Sequence, residues 1–326
     1  MDRFFYNLEC FLKKRVSRGS FLKICLGGLT YYISQSVFLK KAFAKTAVSN
    51  GRPKRTVKGA HDLVLAEGKD PYFNTVGAIE KMGGMSRFIS KGDVVMVKPN
   101  MSWDRTPQQA ANTDPRVVAA VVDLCFKAGA KRVNVFDNTC NNENLCYKNS
   151  GVASAARAKG ANVFFADNWN VVKAQFPYKS PMEGWPLFRD SVECDKFINV
   201  PIVKNHALTG LTLSMKNLMG VCSGTRGRMH VNISEKLADL TDFISPDLTV
   251  VDATRVLLRH GPSGGDLADV ETMDKVFVAT DPVLADAFAC RLMKRDPMTI
   301  GYIKAAADKG YGDPDITKAD IVKVGG

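Results

Sequence analysis

Short apolar runs alternate along most of this chain with longer segments of helical periodicity. Predicted strands cover residues 61–66, 93–97, 132–136, 162–165, 196–203, 248–252, 275–279 and 321–324. Predicted helices cover residues 72–89, 115–128, 151–159, 211–219, 234–243, 281–294 and 297–309. Because strands joined by helices of this length pair in parallel through right-handed crossovers, the pattern predicts an α/β fold with a Rossmann-like layered, mostly parallel sheet. The alternation loosens from 167 to 192, so we expect two lobes with a boundary near 170–190.

The first 44 residues have the order of a bacterial export signal. A basic stretch ending at Arg18 precedes a moderately apolar run from Ile24 to Leu39, and small residues suited to cleavage follow at 42–44. The apolar run is shorter than the roughly 20 residues that span a bilayer comfortably. We therefore expect an exported protein, either periplasmic or anchored through residues 1–44 and facing outside. A cytoplasmic protein with an amphipathic amino-terminal helix is the alternative.

Two further features divide the chain. Residues 17–23 resemble the twin-arginine export motif, with Gly19 where the usual motif has an arginine. Residues 45–60 are basic and rich in turn-forming residues, which is typical of a linker. The predicted α/β domain therefore covers residues 61–326.

The distribution of charge limits the class of ligand. Residues 1–44 hold eight Lys or Arg against two Asp or Glu, which is half of the net charge of +12. The remaining body is mildly basic, a balance that favours a small anionic ligand. A nucleic-acid partner is not predicted, because such proteins concentrate a stronger basic patch in the folded domain.

No cofactor is indicated by the cysteines or histidines. The eight cysteines include no CxxC pair, which disfavours an iron–sulfur cluster or a structural zinc site. Cys140 and Cys146 flank an Asn-rich loop and are candidates for a disulfide if the protein is exported. His206 and His230 form a weak candidate metal pair, because no carboxylate partner is evident.

Strong hydrogen-bond donors and a titratable imidazole are concentrated between residues 204 and 217, directly after the apolar run 197–203. A loop that leaves the carboxyl end of a strand is where α/β proteins place their ligands. His206 is the candidate general acid or base, because neighbouring lysines lower the pKa of an imidazole. The other candidates in this segment are Lys204 and Lys216 as catalytic residues and Asn205 and Asn217 as ligand-binding residues.

Further candidate ligand-binding residues follow other predicted strands or begin predicted helices. Side chains directly after the strand 93–97 are expected to project from the same sheet edge. Arginines in the flexible segment 223–230 suit the clamping of a carboxylate or phosphate, and the glycine-rich turn at 261–265 lets backbone amides approach a ligand. These candidates are Lys98, Asn100, Thr113, Asp114, Arg226, Arg228, Asp252, Gly264 and Gly265.

Several motifs occur in the order found in one family of bacterial and archaeal proteins. They are Val97–Asn100, Thr113–Pro115, Asn199–His206, Ser214–Gly220, Val251–Ala253 and Asp281–Val283. On these motifs the chain resembles the domain-of-unknown-function family DUF362 from about residue 61 to its end. Members frequently carry a fused ferredoxin segment, but its CxxCxxC pattern is absent here, so the resemblance implies no iron–sulfur cofactor. The layout is also distantly similar to the lactate racemase group of nickel-cofactor enzymes, an analogy of fold alone.

Three functions from different classes fit these residues. The first is an enzyme that acts on a small anionic substrate by acid–base chemistry in a pocket lined by Lys, His and Arg. The second is a non-catalytic binding protein for an anionic metabolite or cofactor. The third is a redox accessory protein that uses Cys140, Cys146 or Cys222 with an unknown partner.

One geometric expectation follows from the predicted sheet. Lys98, Lys204 and Asp252 each follow or end a short apolar strand. Because such ends lie on one edge of a parallel sheet, these side chains are expected to converge on one cavity. His206 and Lys216 need only a short loop to reach the same cavity.

Export predicts a specific amino terminus for the protein purified from its own host. We expect the chain either to begin near Lys45 after cleavage or to be retained on a membrane by the uncleaved apolar run. Amino-terminal sequencing combined with cell fractionation measures both outcomes. A soluble cytoplasmic protein that begins at Met1 would contradict export.

Overall fold

A computed structural model describes residues 47–49 and 51–325 of the chain, so the predicted export signal at 1–44, including Gly19, lies outside the described residues. The strands are β1 Ala47–Ser49, β2 Leu63–Glu67, β3 Val94–Pro99, β4 Arg132–Val135, β5 Asn162–Val163, β6 Val171–Gln175, β7 Pro186–Phe188, β8 Lys196–Val200, β9 Ile202–His206, β10 Gly210–Thr212, β11 Leu248–Leu257, β12 Val270–Ala279 and β13 Ile321–Val324. The helices are α1 Pro71–Lys81, α2 Pro115–Lys127, α3 Glu143–Asn149, α4 Val152–Ala158, α5 Arg189–Glu193, α6 Ser214–Asn217, α7 Ile233–Ile244, α8 Pro282–Leu292 and α9 Gly301–Asp308.

A large mixed sheet forms the centre of the fold. Its strands follow the order β13-β2-β12-β11-β8-β3-β4-β5, and β9 joins through pairs with β11 and β10. Strand β12 runs antiparallel to both of its neighbours, whereas β3, β4, β5 and β8 pair in parallel. The Rossmann-like, mostly parallel α/β sheet expected from the sequence is confirmed.

Hydrophobic layers cover both faces of this sheet. Alternate residues of β2 enter different layers, with Leu63 and Leu65 in one and Val64 and Ala66 in the other. This alternation is the period-two geometry of a strand that is buried on both faces. It explains why the strands are continuous apolar runs in the sequence.

The segment where the strand–helix alternation loosens builds a second, small sheet. Strand β6 pairs in parallel with β1 and antiparallel with β7. The chain from Ala47 onward forms one compact unit, and the boundary expected near 170–190 falls on β6 and β7. Within the described residues, no helix is long and apolar enough to cross a membrane.

The sequence predicted a helix over 211–219, but in the structure the helical residues begin only at Ser214. The first residues of this range belong to β10, which pairs antiparallel with β9, and the helical residues that follow are α6 and a 3₁₀ helix at Leu218–Val221. Asp286 on α8 fixes the start of α6, because its carboxylate accepts the N–H of Ser214 at 2.7 Å and of Met215 at 3.0 Å. Burial raises the pKa of Asp286 to about 7.

Residues 51–60, expected as part of a linker, pack against the body through Arg52. Its side chain is 3% exposed. The guanidinium donates to the carbonyls of Ile244 and Asp195 and to the carboxylate of Asp247, each at 3.1 Å. Because Asp195 and Asp247 directly precede β8 and β11, this arginine fixes the segment to the edge where both strands begin.

Replacing Arg52 tests how firmly this segment is held. Arg52→Ala is expected to lower the free energy of unfolding by about 3 kcal/mol, because it removes a buried cation from two carbonyls and from the carboxylate of Asp247, whose remaining ion-pair partner among the described residues is the more distant Lys196 at 3.6 Å. Urea denaturation measures this difference. Lys54→Ala is the matched control, since its ion pair with Asp242 is solvent-exposed and such pairs contribute about 0–1 kcal/mol. Equal effects of the two variants would show that Arg52 does not anchor the segment.

Candidate functional site

A cavity of about 460 Å³ opens beside the β9–β10 hairpin. Four of its lining residues are basic, and none of the described lining residues is acidic. The wall also contains the apolar side chains of Trp103, Met219 and Pro262. The complete lining is Asn100, Ser102, Trp103, Thr139, Cys140, Lys204, His206, Thr212, Lys216, Asn217, Met219, Gly220, His230 and Pro262. A cavity of this size and charge suits a small organic anion.

One face of the hairpin supplies three of these side chains. Lys204 and His206 alternate with Asn205 along β9, so they share a face. Thr212 on β10 lies directly opposite Lys204, and Gly210 lies opposite His206. The sequence reading placed residues 204–206 on a loop after one strand, but Pro201 separates β8 from β9 and the three residues belong to the second strand. Asn205 faces away and accepts the N–H of Gly261 at 3.2 Å.

Lys204 is fully buried, yet among the described residues no carboxylate contacts its amine directly. Its Nζ donates to Asn100 Oδ1 at 3.2 Å and to the carbonyl of Ala111. Burial lowers the pKa of Lys204 to about 7, and repulsion from Lys216 and Lys98 acts in the same direction against the attraction of Cys140 and Asp137. The amine is therefore partly uncharged at neutral pH, as a general base requires.

His206 is a neutral imidazole with a defined tautomer. Its Nδ1 accepts the backbone N–H of Leu208 at 3.1 Å and of Thr209 at 3.3 Å. These bonds assign the ring hydrogen to Nε2. Burial lowers the pKa of His206 to about 3, with further contributions from Lys216, Lys204 and His230. The ring therefore suits hydrogen-bond donation into the cavity, rather than the proton uptake or metal ligation considered from the sequence.

Lys98 lies behind the cavity wall rather than in it. It is buried and forms an ion pair with Asp137 Oδ1 at 2.8 Å. The other carboxylate oxygen of Asp137 accepts the N–H of Met101 at 2.8 Å and the hydroxyl of Ser102 at 2.7 Å. Lys98 therefore holds the loop after β3 through Asp137, a residue that the sequence analysis did not single out.

A chain of side-chain amides links the two buried lysines. Asn217 Oδ1 accepts Lys98 Nζ and Asn100 Nδ2, each at 3.1 Å. Asn100 Oδ1 in turn accepts Lys204 Nζ. The amide of Asn217 donates to the carbonyl of Lys98 at 3.1 Å and to Asn199 Oδ1 at 2.8 Å. This network fixes the orientation of Asn100, and with it the direction of the Lys204 amine.

The predicted carboxylate Asp252 is not part of the cavity lining. It lies in the middle of β11 rather than at its end, because the strand continues to Leu257. Its Oδ2 accepts the N–H of Asp114 at 2.6 Å, where Asp114 begins α2 and pairs with Arg255. Burial and the nearby Asp114 charge raise the pKa of Asp252 to about 6. Of the five side chains expected to converge, Lys204, His206 and Lys216 line the cavity.

The other residues predicted to bind a ligand are not among the described residues that line the cavity. Thr113 is buried and donates to the carbonyl of Val200 at 2.7 Å. The carbonyls of Gly264 and Gly265 accept hydrogen bonds from Arg105 at 3.3 Å and Gln109 at 2.8 Å. Arg228 is exposed and is not a lining residue, and the Arg226 side chain lies outside the described part of the structure. His230, by contrast, does line the cavity.

The cysteines and histidines form no metal centre in the described residues, where no group of three or more potential ligands occurs. Cys140 and Cys146 are separate thiols rather than a disulfide. Burial raises the pKa of Cys146 to about 11, which disfavours a reactive thiolate there. Cys140 is exposed and lines the cavity.

Several cavity residues were missed because no local pattern marks them. Trp103 and Ser102 lie in the loop that follows β3, and Thr139 lies beyond β4 beside Cys140, which the sequence analysis had named only as a disulfide or redox candidate. Adjacency of β3 and β4 in the sheet brings these loops together. Thr212 was missed because its position depends on the register of the β9–β10 pair, and residues 207–209 of the connecting turn do not form a recognisable hairpin motif.

The fold is that of an α/β protein with a mostly parallel sheet, and a cavity lined by lysine and histidine side chains lies beside the β9–β10 hairpin. The model of the family described as a domain of unknown function, DUF362, matches residues 95–291, more than half of the chain. This protein therefore belongs to the DUF362 family, and the resemblance seen in the sequence motifs is confirmed.

Two proteins show more distant similarity. The thylakoid-associated protein sll1697 of Synechocystis sp. is 26% identical over 237 residues, which cover 70% of this chain and 71% of that protein. The lactate racemase apoprotein from Thermoanaerobacterium thermosaccharolyticum aligns with a TM-score of 0.46 and 13% identity over 74% of this chain. The match covers 58% of that structure's chain, which is less than two thirds of its length.

Gly220 provides a test of the buried ion pair. A Cβ at this position would lie 2.7 Å from Lys98 Nζ and closer still to Asp137 Oδ1. Gly220→Ala is therefore expected to separate the pair and to lower the free energy of unfolding by about 3 kcal/mol. Chemical denaturation measures the loss. Gly227→Ala is the control, because among the described residues no atom beyond its chain neighbours and its own helical turn lies within 4 Å of the added Cβ, and a change within about 0.5 kcal/mol is expected. A stable Gly220→Ala protein would contradict the close packing of the pair.

Proposed function

We propose that this DUF362 protein is an enzyme that binds a small organic anion and transfers a proton between that substrate and Lys204. The observation that carries this proposal is a buried amine with a pKa of about 7 in the wall of a basic cavity. Strongly shifted groups in a cavity are enriched at functional sites. A lysine that only neutralises charge would instead be expected to contact a carboxylate.

The contacts of Lys204 match its uncharged form. A neutral amine has two hydrogens, and Nζ has two acceptors, Asn100 Oδ1 and the carbonyl of Ala111. Donation to both leaves the nitrogen lone pair for a proton of the substrate. The amide network behind Asn100 keeps this arrangement fixed before the substrate binds.

The other basic groups suit the substrate's negative charge. Lys216 supplies a cationic side chain, and the neutral His206 ring supplies an Nε2–H donor. When Lys204 accepts a proton from a substrate C–H or O–H bond, the bonding electron pair remains on the substrate as negative charge. Donors aimed at that charge stabilise it in the transition state. Return of the proton from the Lys204 ammonium completes an isomerisation or exchange.

We also infer that the protein works outside the cytoplasm or attached to a membrane. Support comes from the basic stretch, the apolar run and the small residues at 42–44 in the first 44 residues. The name of the thylakoid-associated relative, which refers to a membrane, agrees with attachment through this segment. The periplasmic and anchored forms differ only in whether the segment is cleaved.

Isotope exchange tests the proposed proton transfer with a panel of candidate substrates. In D₂O, the wild-type protein is expected to incorporate deuterium into at least one of several small carboxylates and phosphates, measured by mass spectrometry. Because Lys204 acts as a base only when uncharged, the exchange rate is expected to rise with pH through about 7 and then level off. Lys204→Met is expected to slow exchange by about a hundredfold or more.

Two comparisons make this experiment decisive. Lys54→Met removes a surface lysine remote from the cavity lining and is expected to exchange at the wild-type rate. Exchange that is equally fast in Lys204→Met would reject Lys204 as the base. Binding of an anion without any exchange would instead favour the non-catalytic binding protein.

A further inference from the structure

Thr212 has a buried hydroxyl without a partner. Its side chain is 4% exposed, and Oγ1 has no hydrogen bond among the described residues. Buried polar atoms in folded proteins are nearly always hydrogen-bonded, so an orphaned hydroxyl in a cavity wall indicates a contact that a ligand completes.

The position of Thr212 connects this hydroxyl to the proposed base. Thr212 and Lys204 are directly opposite in the antiparallel β9–β10 pair, and both line the cavity. Opposite residues of such a pair have Cβ atoms about 5 Å apart on one face. A ligand that occupies this cavity can therefore contact both side chains.

Another part of the cavity wall is apolar, which indicates that part of the ligand is apolar as well. Trp103, Met219 and Pro262 give the cavity an apolar side, and the Trp103 ring centre lies 5.8 Å from Lys204 Nζ. The volume of about 460 Å³ falls in the range of sites for drug-sized molecules, roughly 300–1,000 Å³. A carboxylate or phosphate group alone would leave most of this wall without contact.

We propose that the ligand is an amphiphilic anion and that Thr212 binds its charged head. The carboxylate or phosphate lies against Thr212, Lys216 and His206, and its apolar body packs against Trp103 and Met219. This inference rests on the proposed function and names the substrate class for the same cavity. Thr212 acts as a specificity residue, because its hydroxyl gains a hydrogen bond only when an oxygen-bearing head is present.

Calorimetric titration with three probes tests both parts of this assignment. Octanoate carries the anionic head and the apolar body, acetate carries only the anionic head, and 1-octanol carries a similar apolar body with an uncharged hydroxyl in place of the anion. At pH 6, wild-type protein is expected to bind octanoate at least about tenfold more tightly than either acetate or 1-octanol. Thr212→Val is expected to weaken octanoate binding by about tenfold or more, while Thr212→Ser retains most of the affinity.

A second orphaned hydroxyl supplies the control. Thr249 Oγ1 is also buried without a partner among the described residues, but Thr249 is not a cavity residue. Without ligand, both Thr212→Val and Thr249→Val are expected to keep or raise the melting temperature, because each removes an unpaired buried hydroxyl. Only Thr212→Val is expected to change octanoate affinity. A folded Thr212→Val protein with wild-type affinity would overturn the role of Thr212.

Different experimental results would contradict the proposed ligand class and the proposed proton transfer. Octanoate that binds no better than acetate, or does not bind at all, would overturn the amphiphilic ligand class. Deuterium exchange that does not depend on Lys204 would reject the proton-transfer function. In that case a Thr212-dependent octanoate affinity would still support the ligand assignment.

Discussion

The ion pair between Lys98 and Asp137 is the contact on which the candidate site depends. Either charge alone would be strongly unfavourable at this depth, but together they compensate each other's lost hydration. Asp137 also holds the loop after β3 through Met101 and Ser102, and Lys98 reaches Asn217 on α6. One buried pair thus connects two strand ends to the helix that supplies Lys216, with no room for a side chain at Gly220.

Two fully buried lysines have different partners, and this difference separates their roles. Lys98 faces a carboxylate at 2.8 Å, whereas Lys204 faces the neutral oxygens of Asn100 and Ala111. Desolvation without an adjacent counter-charge is what lowers the pKa of Lys204. An amine with such a pKa can exchange a proton at neutral pH, whereas an ordinary lysine holds its proton too tightly.

The sheet could be predicted from the sequence because each buried strand is a short apolar run between helices, as β3 and β4 show. The sequence also indicated the segment that lines the cavity, since Lys204, His206 and Lys216 are unusual polar groups beside such a run. The secondary structure predicted for residues 204–206 was wrong. Lys-Asn-His at the end of a strand was taken for a loop, and the pairing of β9 with β10 and β11 shows that these residues are part of the sheet.

For the same reason, the sequence could not predict the contacts of residues whose partners are distant in the chain. Asp252 looked like the end of a strand because the apolar run weakens there, but pairing with β12 extends β11 by several residues. The carboxylate then turns to the start of α2. Trp103 and Thr212 line the cavity from separate segments of the chain. No local sequence pattern around either residue indicates that the two lie in one cavity.

The placement of the polar wall on a hairpin has an evolutionary consequence. Side chains on a strand alternate between faces, so one inserted or deleted residue in β9 would turn Lys204 and His206 away and bring Asn205 into the cavity. Single substitutions on this face can thus change the lining of the cavity, whereas a change in the length of the strand would replace the whole polar wall. Variation in chain length should accumulate instead in loops that the wall does not use.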